Sequence, residues 1–180
     1  MNKNQIKSVP KYFDRYINYV PDMDIVPAIH KYGIAYLSKE KDKMTALKDI
    51  VYAPGKWTIK DILQHIIDTE RIFSYRALRF ARKDKTELPG FDENTYATCT
   101  SANDRNIDDL LLEFAAVRQS SLGLFLSFNE QMMQEEGTAS GNKISVLALG
   151  FTLTGHVIHH MLVIKERYYP LLQGSSESLL

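Results

Sequence analysis

Apolar residues recur along most of this chain at the three- and four-residue spacing of an amphipathic helix, and no run alternates convincingly as a strand would. Ile6, Val9, Tyr12, Phe13, Tyr16 and Ile17 form a short pattern that ends at Pro21, which predicts a short helix or a docking arm. A first long helix is predicted from Asp24 to about Lys41, with Ile25, Ile29, Tyr32, Tyr36 and Leu37 on its inner face and Pro27 in its first turn. Tyr52–Lys56 reads as a turn. Thr58 then offers a helix cap, with Asp61 as its reciprocal partner and Trp57 and Ile62 placed as a hydrophobic staple. This second helix should run to about Arg82 and bury Ile59, Ile62, Leu63, Ile66, Phe73, Ala77 and Phe80.

Residues 83–103 are polar with aromatic tips at Phe91 and Tyr96, and so long a connection implies a functional loop or a crossover. A third helix follows, from Asp104 or Ile107 to about Asn129, with Leu110, Leu111, Phe114, Val117, Leu122, Phe125 and Leu126 apolar. Glu135–Asn142 reads as a loop. The fourth helix is expected from Ile144 to Tyr168, stopped by Pro170. The pattern predicts an all-α fold, a four-helix bundle with one long crossover connection. Its organisation is an N-terminal arm or short helix over 1–21, the bundle over 22–172 and a flexible Ser-rich tail over 173–180.

Composition narrows the function. The 180 residues carry 22 Lys+Arg against 22 Asp+Glu, and a net charge of zero argues against nucleic acid as a partner. One cysteine, Cys99, excludes an intrachain disulfide and fits a reducing cytoplasm. The polar start, Met1–Lys7, has no signal-peptide core. Ile144–Ile164 holds no Asp, Glu, Lys or Arg over 21 residues, but it contains three histidines, and the simpler reading is the central helix of a soluble bundle rather than a membrane span.

Those histidines carry the candidate chemistry. His156 and His160 stand at i, i+4 on a stripe otherwise made by Leu149, Leu153, Val163 and Ile164. Two imidazoles facing a core need a partner, and a divalent metal held with a third ligand is one. His65 on the second helix is the best third candidate and His30 its rival. The alternative is a pair of core histidines bonded to hydroxyls and a carboxylate. His159 lies about 80° off the midline of the pair and reads as a residue behind the site or on the surface. Glu70, Arg71, Tyr75, Arg76, Arg79, Arg82 and Lys83 read as a solvated face with i, i+4 ion pairs. A basic lip for an anionic substrate or cofactor carboxylate is the alternative. Glu113 and Arg118 read similarly. Glu70 stands about 140° round the helix from His65, so no general base is assigned.

Several blocks together resemble the DinB/YfiT-like superfamily. Pro54–His65 resembles its second-helix opening and Asp68–Arg82 the continuation; Leu88–Asp92 and Glu113–Arg118 are similar to later blocks; Gly155–His160 resembles the closing histidine motif. The resemblance covers about residues 22–170. It implies a four-helix bundle with a divalent metal (zinc, nickel or iron) on His65, His156 and His160. It also implies a metal-dependent enzyme acting on a small-molecule substrate. Some members are S-transferases or isomerases that use low-molecular-weight thiols such as bacillithiol or mycothiol, and many are homodimers. On the mechanism expected here, an open metal position activates a thiol for S-transfer or a water for hydrolysis. The competing reading is a non-catalytic bundle that binds a metal or ligand.

Overall fold

The computed structural model describes the backbone of residues 1–174 and the side chains of residues 1–172. Residues 175–180, most of the tail expected over 173–180, lie outside the described residues. After a 3₁₀ turn at Lys3–Gln5, the helices are α1 (Asp14–Tyr19), α2 (Ile25–Lys31), α3 (Ile34–Ser38), α4 (Lys41–Leu47), α5 (Ile59–Ala81), α6 (Glu93–Thr98), α7 (Ile107–Leu126) and α8 (Glu130–Gln134). A hairpin of β1 (Glu136–Ala139) and β2 (Asn142–Ser145) precedes α9 (Val146–Val163), a π turn (Ile164–Tyr168) and α10 (Tyr169–Gly174).

Four helical columns make the bundle: α2–α4, α5, α7 and α9. The pairs Gln64–Arg105, Arg71–Glu113 and Ser74–Ser121 rise together in number, so α5 and α7 run parallel. A parallel neighbour can be reached only by carrying the chain back along the bundle. The segment between Ala81 and Ile107 is therefore the crossover that its length predicts. It is not bare loop: α6 lies within it, capped by the Asp92 carboxylate on the Asn94 and Thr95 amides, each at 2.9 Å. In contrast, α5 and α9 are antiparallel, with Trp57 against Tyr168 at one end and His65 against His156 further along.

Local chemistry explains where the long helices begin. Thr58 accepts from the Asp61 amide at 3.1 Å while Asp61 accepts from the Thr58 amide at 2.9 Å, the reciprocal cap that the spacing predicts. All seven residues expected to be buried on α5 are buried. Ser145 caps α9 through the Ala148 amide at 3.1 Å. Every residue from Val146 to Ile158 is buried, which is why this helix is apolar on all sides. Together with the π turn and α10 it is long and apolar enough to cross a membrane, but 83% of its most apolar window is buried inside the protein.

Several expectations change. The first long helix is interrupted at Tyr32–Gly33 and again at Lys39–Glu40. Gly33 leaves the helical region, and a Cβ there would stand 3.0 Å from the His30 carbonyl. The segment read as a loop at Glu135–Asn142 is instead most of a hairpin, turned by Ser140 and Gly141, both at positive φ. Its Gly137 lies on Phe80, where a Cβ would fall 2.1 Å from the ring. Pro170 does not stop the fourth helix. The Tyr169 amide bonds the Ile164 carbonyl, five residues back, and this wider turn moves the backbone aside from the proline ring.

Candidate metal centre

α5 and α9 present three imidazoles to one point. His65 Nε2 lies 3.0 Å from His156 Nε2, and His160 Nε2 lies 3.0 Å from the same atom. All three ligand atoms fall within 4.8 Å of one another. His156 and His160 share a face because four residues advance a helix by slightly more than one turn. His65 meets them from the antiparallel neighbour. His30 is exposed on α2, outside this cluster.

Proton bookkeeping shows what the cluster suits. A neutral imidazole nitrogen is either donor or acceptor, with one lone pair. His156 Nε2 can therefore make a proper hydrogen bond to only one of its two neighbours, and the other contact brings nitrogens together without a bridging proton. A cation between the three nitrogens satisfies all of them at once, and neutral imidazole is a good ligand for zinc and related ions. Burial keeps the rings neutral. It pushes His65 down to about 4, and it holds His156 and His160 well below the usual histidine range, with the neighbouring imidazoles adding to the shift. Among the described residues no carboxylate or thiol joins the three histidines.

Aromatic rings brace the imidazoles. Trp57 packs against His65 at a centroid distance of 4.8 Å with the rings tilted by 50°, and Tyr16 and His156 meet in a T-shaped contact at 5.3 Å. Tyr16 comes from α1, whose backbone lies directly on α9: a Cβ on Gly155 would stand 1.8 Å from the Tyr16 carbonyl oxygen. The Tyr16 hydroxyl accepts from Arg15 at 2.8 Å, and burial pushes its pKa up to about 12. His159 is half-buried between Tyr16, Tyr19 and His160, beside the cluster rather than in it.

A cavity of about 280 Å³ opens on His65 and His156, walled by Tyr12, Tyr16, Thr69, Phe73, Arg76 and Phe91. A second, of about 250 Å³, reaches His160 from the side of Trp57 and Tyr168. Phe91 is one of the aromatic tips of the long connection, a signal visible in the sequence. The contributions of α1 and the hairpin were not visible, because their docking depends on contacts distant in sequence.

The reading of a solvated charged face holds for only part of α5. Arg71 reaches Glu113 at 2.7 Å from an exposed position, and Arg79 pairs with Asp84. Glu70 and Arg118, however, are buried and paired with each other at 2.7 Å; Arg118 also donates to the Ile29 carbonyl at 3.2 Å. Arg76 is buried in the cavity wall. Helical spacing could not separate these residues, since the face of α5 turned from α9 is covered by α7.

No curated protein sequence matches this chain. Among solved structures it resembles YfiT from Bacillus subtilis, described as a probable metal-dependent hydrolase with an unusual four-helix bundle topology. The TM-score is 0.62 at 15% identity, over 92% of this chain and 91% of that one. The model of the DinB superfamily matches residues 27–164, a span that contains all three clustered histidines and both long antiparallel helices that carry them. The chain belongs to the DinB superfamily.

Proposed function

We propose that this protein is a metal-dependent enzyme in which His65, His156 and His160 hold a divalent cation: zinc, nickel or iron. The observation that carries the proposal is the convergence of three Nε2 atoms that no arrangement of protons satisfies. Three protein ligands with a position left for water or substrate is the pattern of catalytic rather than structural zinc sites. A divalent cation bound there supplies Lewis acidity, which makes a water or thiol available as a nucleophile near neutral pH.

The chain's own residues supply the rest. Burial keeps the imidazoles unprotonated and ready to bind. Trp57 and Tyr16 hold the ring planes of His65 and His156. Aromatic side chains, with Thr69, Arg76 and Glu93 among them, wall a cavity sized for a small molecule. The reaction we favour is hydrolysis, in line with the description of YfiT, or transfer to a low-molecular-weight thiol.

The test is the metal content of the purified protein by mass spectrometry, for wild type beside His65→Ala and His156→Ala. We expect near-stoichiometric metal in wild type and its loss in both variants. A wild type that is metal-free and also takes up no added zinc or nickel would sink the reading.

A further inference from the structure

The cavity continues from the histidines along α5. His65, Thr69 and Arg76 all line it. Their spacing of i, i+4, i+11 places them within about 40° of one another around the helix. Roughly 16 Å of helix axis separates the first from the last, so a ligand touching both ends is several bonds long.

Arg76 is only 3% exposed. Its Nη2 donates to the Pro89 carbonyl at 2.8 Å and to Ser140 Oγ at 3.0 Å. Phe73 and Phe91 stand with ring centroids 5.5 and 6.0 Å from the guanidinium. Among the described residues Arg76 forms no ion pair within 4.0 Å, not even with Glu93, the one acid in the cavity wall. Nor do its Nε and Nη1 groups meet a protein acceptor there. The contrast with Arg118 is direct, because that buried guanidinium is neutralised by Glu70 at 2.7 Å. A guanidinium stays charged inside proteins, and a buried charge is costly unless it is paired. Thr69 repeats the pattern: it is 3% exposed, and its Oγ1 has no hydrogen-bond partner.

We propose that Arg76 and Thr69 form a subsite for a carboxylate of the substrate or co-substrate, whose reacting group lies at His65, His156 and His160. The placement of the reacting group rests on the metal-dependent reading above; the carboxylate subsite does not. One uncompensated cation matches one carboxylate, whereas a phosphate dianion would leave a negative charge unmatched in an aromatic cavity. Arg presents N–H groups in the plane that a carboxylate accepts, and the Thr69 hydroxyl donates beside them. The subsite therefore selects elongated, anionic small molecules over neutral ones of equal length.

The test is a calorimetric titration of metal-free protein with hexanoate and with hexanol. Wild type should bind hexanoate about tenfold or more tighter, the value of a charge-assisted hydrogen bond. Arg76→Gln should erase the preference. Because that change also releases Pro89 and Ser140, Thr69→Val is the control: it removes an unpaired hydroxyl, so the melting temperature should hold while the preference falls several-fold. Equal binding of the two ligands by wild type, or a preference that survives both substitutions, overturns the proposal. Cobalt-loaded protein titrated with 6-mercaptohexanoate separates the two readings. If the protein takes up no cobalt while the hexanoate preference stands, the metal reading fails and the carboxylate subsite remains. If cobalt binds but no thiolate-to-cobalt absorption appears, the placement of the reacting group at the histidines is overturned.

Discussion

Replacing Gly155 by Ala sets two effects of opposite sign against each other. Alanine is a better helix former than glycine by about 1 kcal/mol, so propensity alone predicts a more stable protein. The new Cβ, however, would stand 1.8 Å from the Tyr16 carbonyl oxygen and 2.5 Å from its carbon. Both are backbone atoms, so no rotamer change relieves the overlap. Moving the oxygen out to 3.0 Å displaces α1 by about 1.2 Å. Overpacking in a well-filled core costs about 1–3 kcal/mol, and an unyielding backbone contact belongs at the top of that range. The upper limit is complete detachment of α1, which would expose Phe13, Tyr16, Ile17 and Val20 at about 1.5–3 kcal/mol each. Net of propensity we expect a loss of about 2 kcal/mol, a fall of roughly 4–8 °C in melting temperature.

The assay is paired thermal and urea melts with Gly123→Ala as control. Gly123 also lies inside a long helix, but nothing stands within 4 Å of its Cβ position. That variant should melt at or above wild type. If Gly155→Ala melts with it, α1 is not seated on α9 as described, and the reasoning is refuted.

Two further outcomes follow from buried and bridging carboxylates. Glu70→Ala strands the Arg118 guanidinium and should cost about 3–5 kcal/mol; replacing both partners with apolar residues should recover most of it, and a Glu70→Ala melt within 2 °C of wild type would contradict the burial of the pair. Glu40 joins the α3–α4 junction to the C-terminal helix through Lys165 at 2.8 Å and Tyr169 at 3.0 Å, and the Lys165 hydrogen bond lowers its pKa below 4.5. A depressed carboxyl stabilises the fold above its unfolded pKa and loses that contribution as pH falls through the folded one. Glu40→Gln should therefore lower stability by about 1 kcal/mol at pH 7 and by progressively less below pH 4.5, and an unchanged deficit at pH 3 would refute the linkage.

What the sequence determined by itself is what local physics controls. The helix starts at Thr58 and Ser145 depend on side chains within three residues of the amides they cap. The buried face of α5 depends on the 3.6-residue period, as do Leu110, Leu111, Phe114 and Phe125 on α7 and the His156–His160 pair, whereas Leu126, apolar in the same pattern, is exposed. The parallel run of α5 and α7 was foreshadowed by the length of the connection between them. Tertiary structure decided whatever depends on which surface meets which. His65 rather than His30 joins the pair because α5, not α2, turns that position toward His156. Glu70 and Arg118 are a buried pair because α7 covers that side of α5. The hairpin forms where Gly137 can lie on Phe80, and α1 docks where Gly155 admits the Tyr16 carbonyl. Each of these contacts joins residues from tens to more than a hundred positions apart. Helical periodicity sets the direction of a side chain about its own axis, but only the packing of one axis against another sets what that side chain meets.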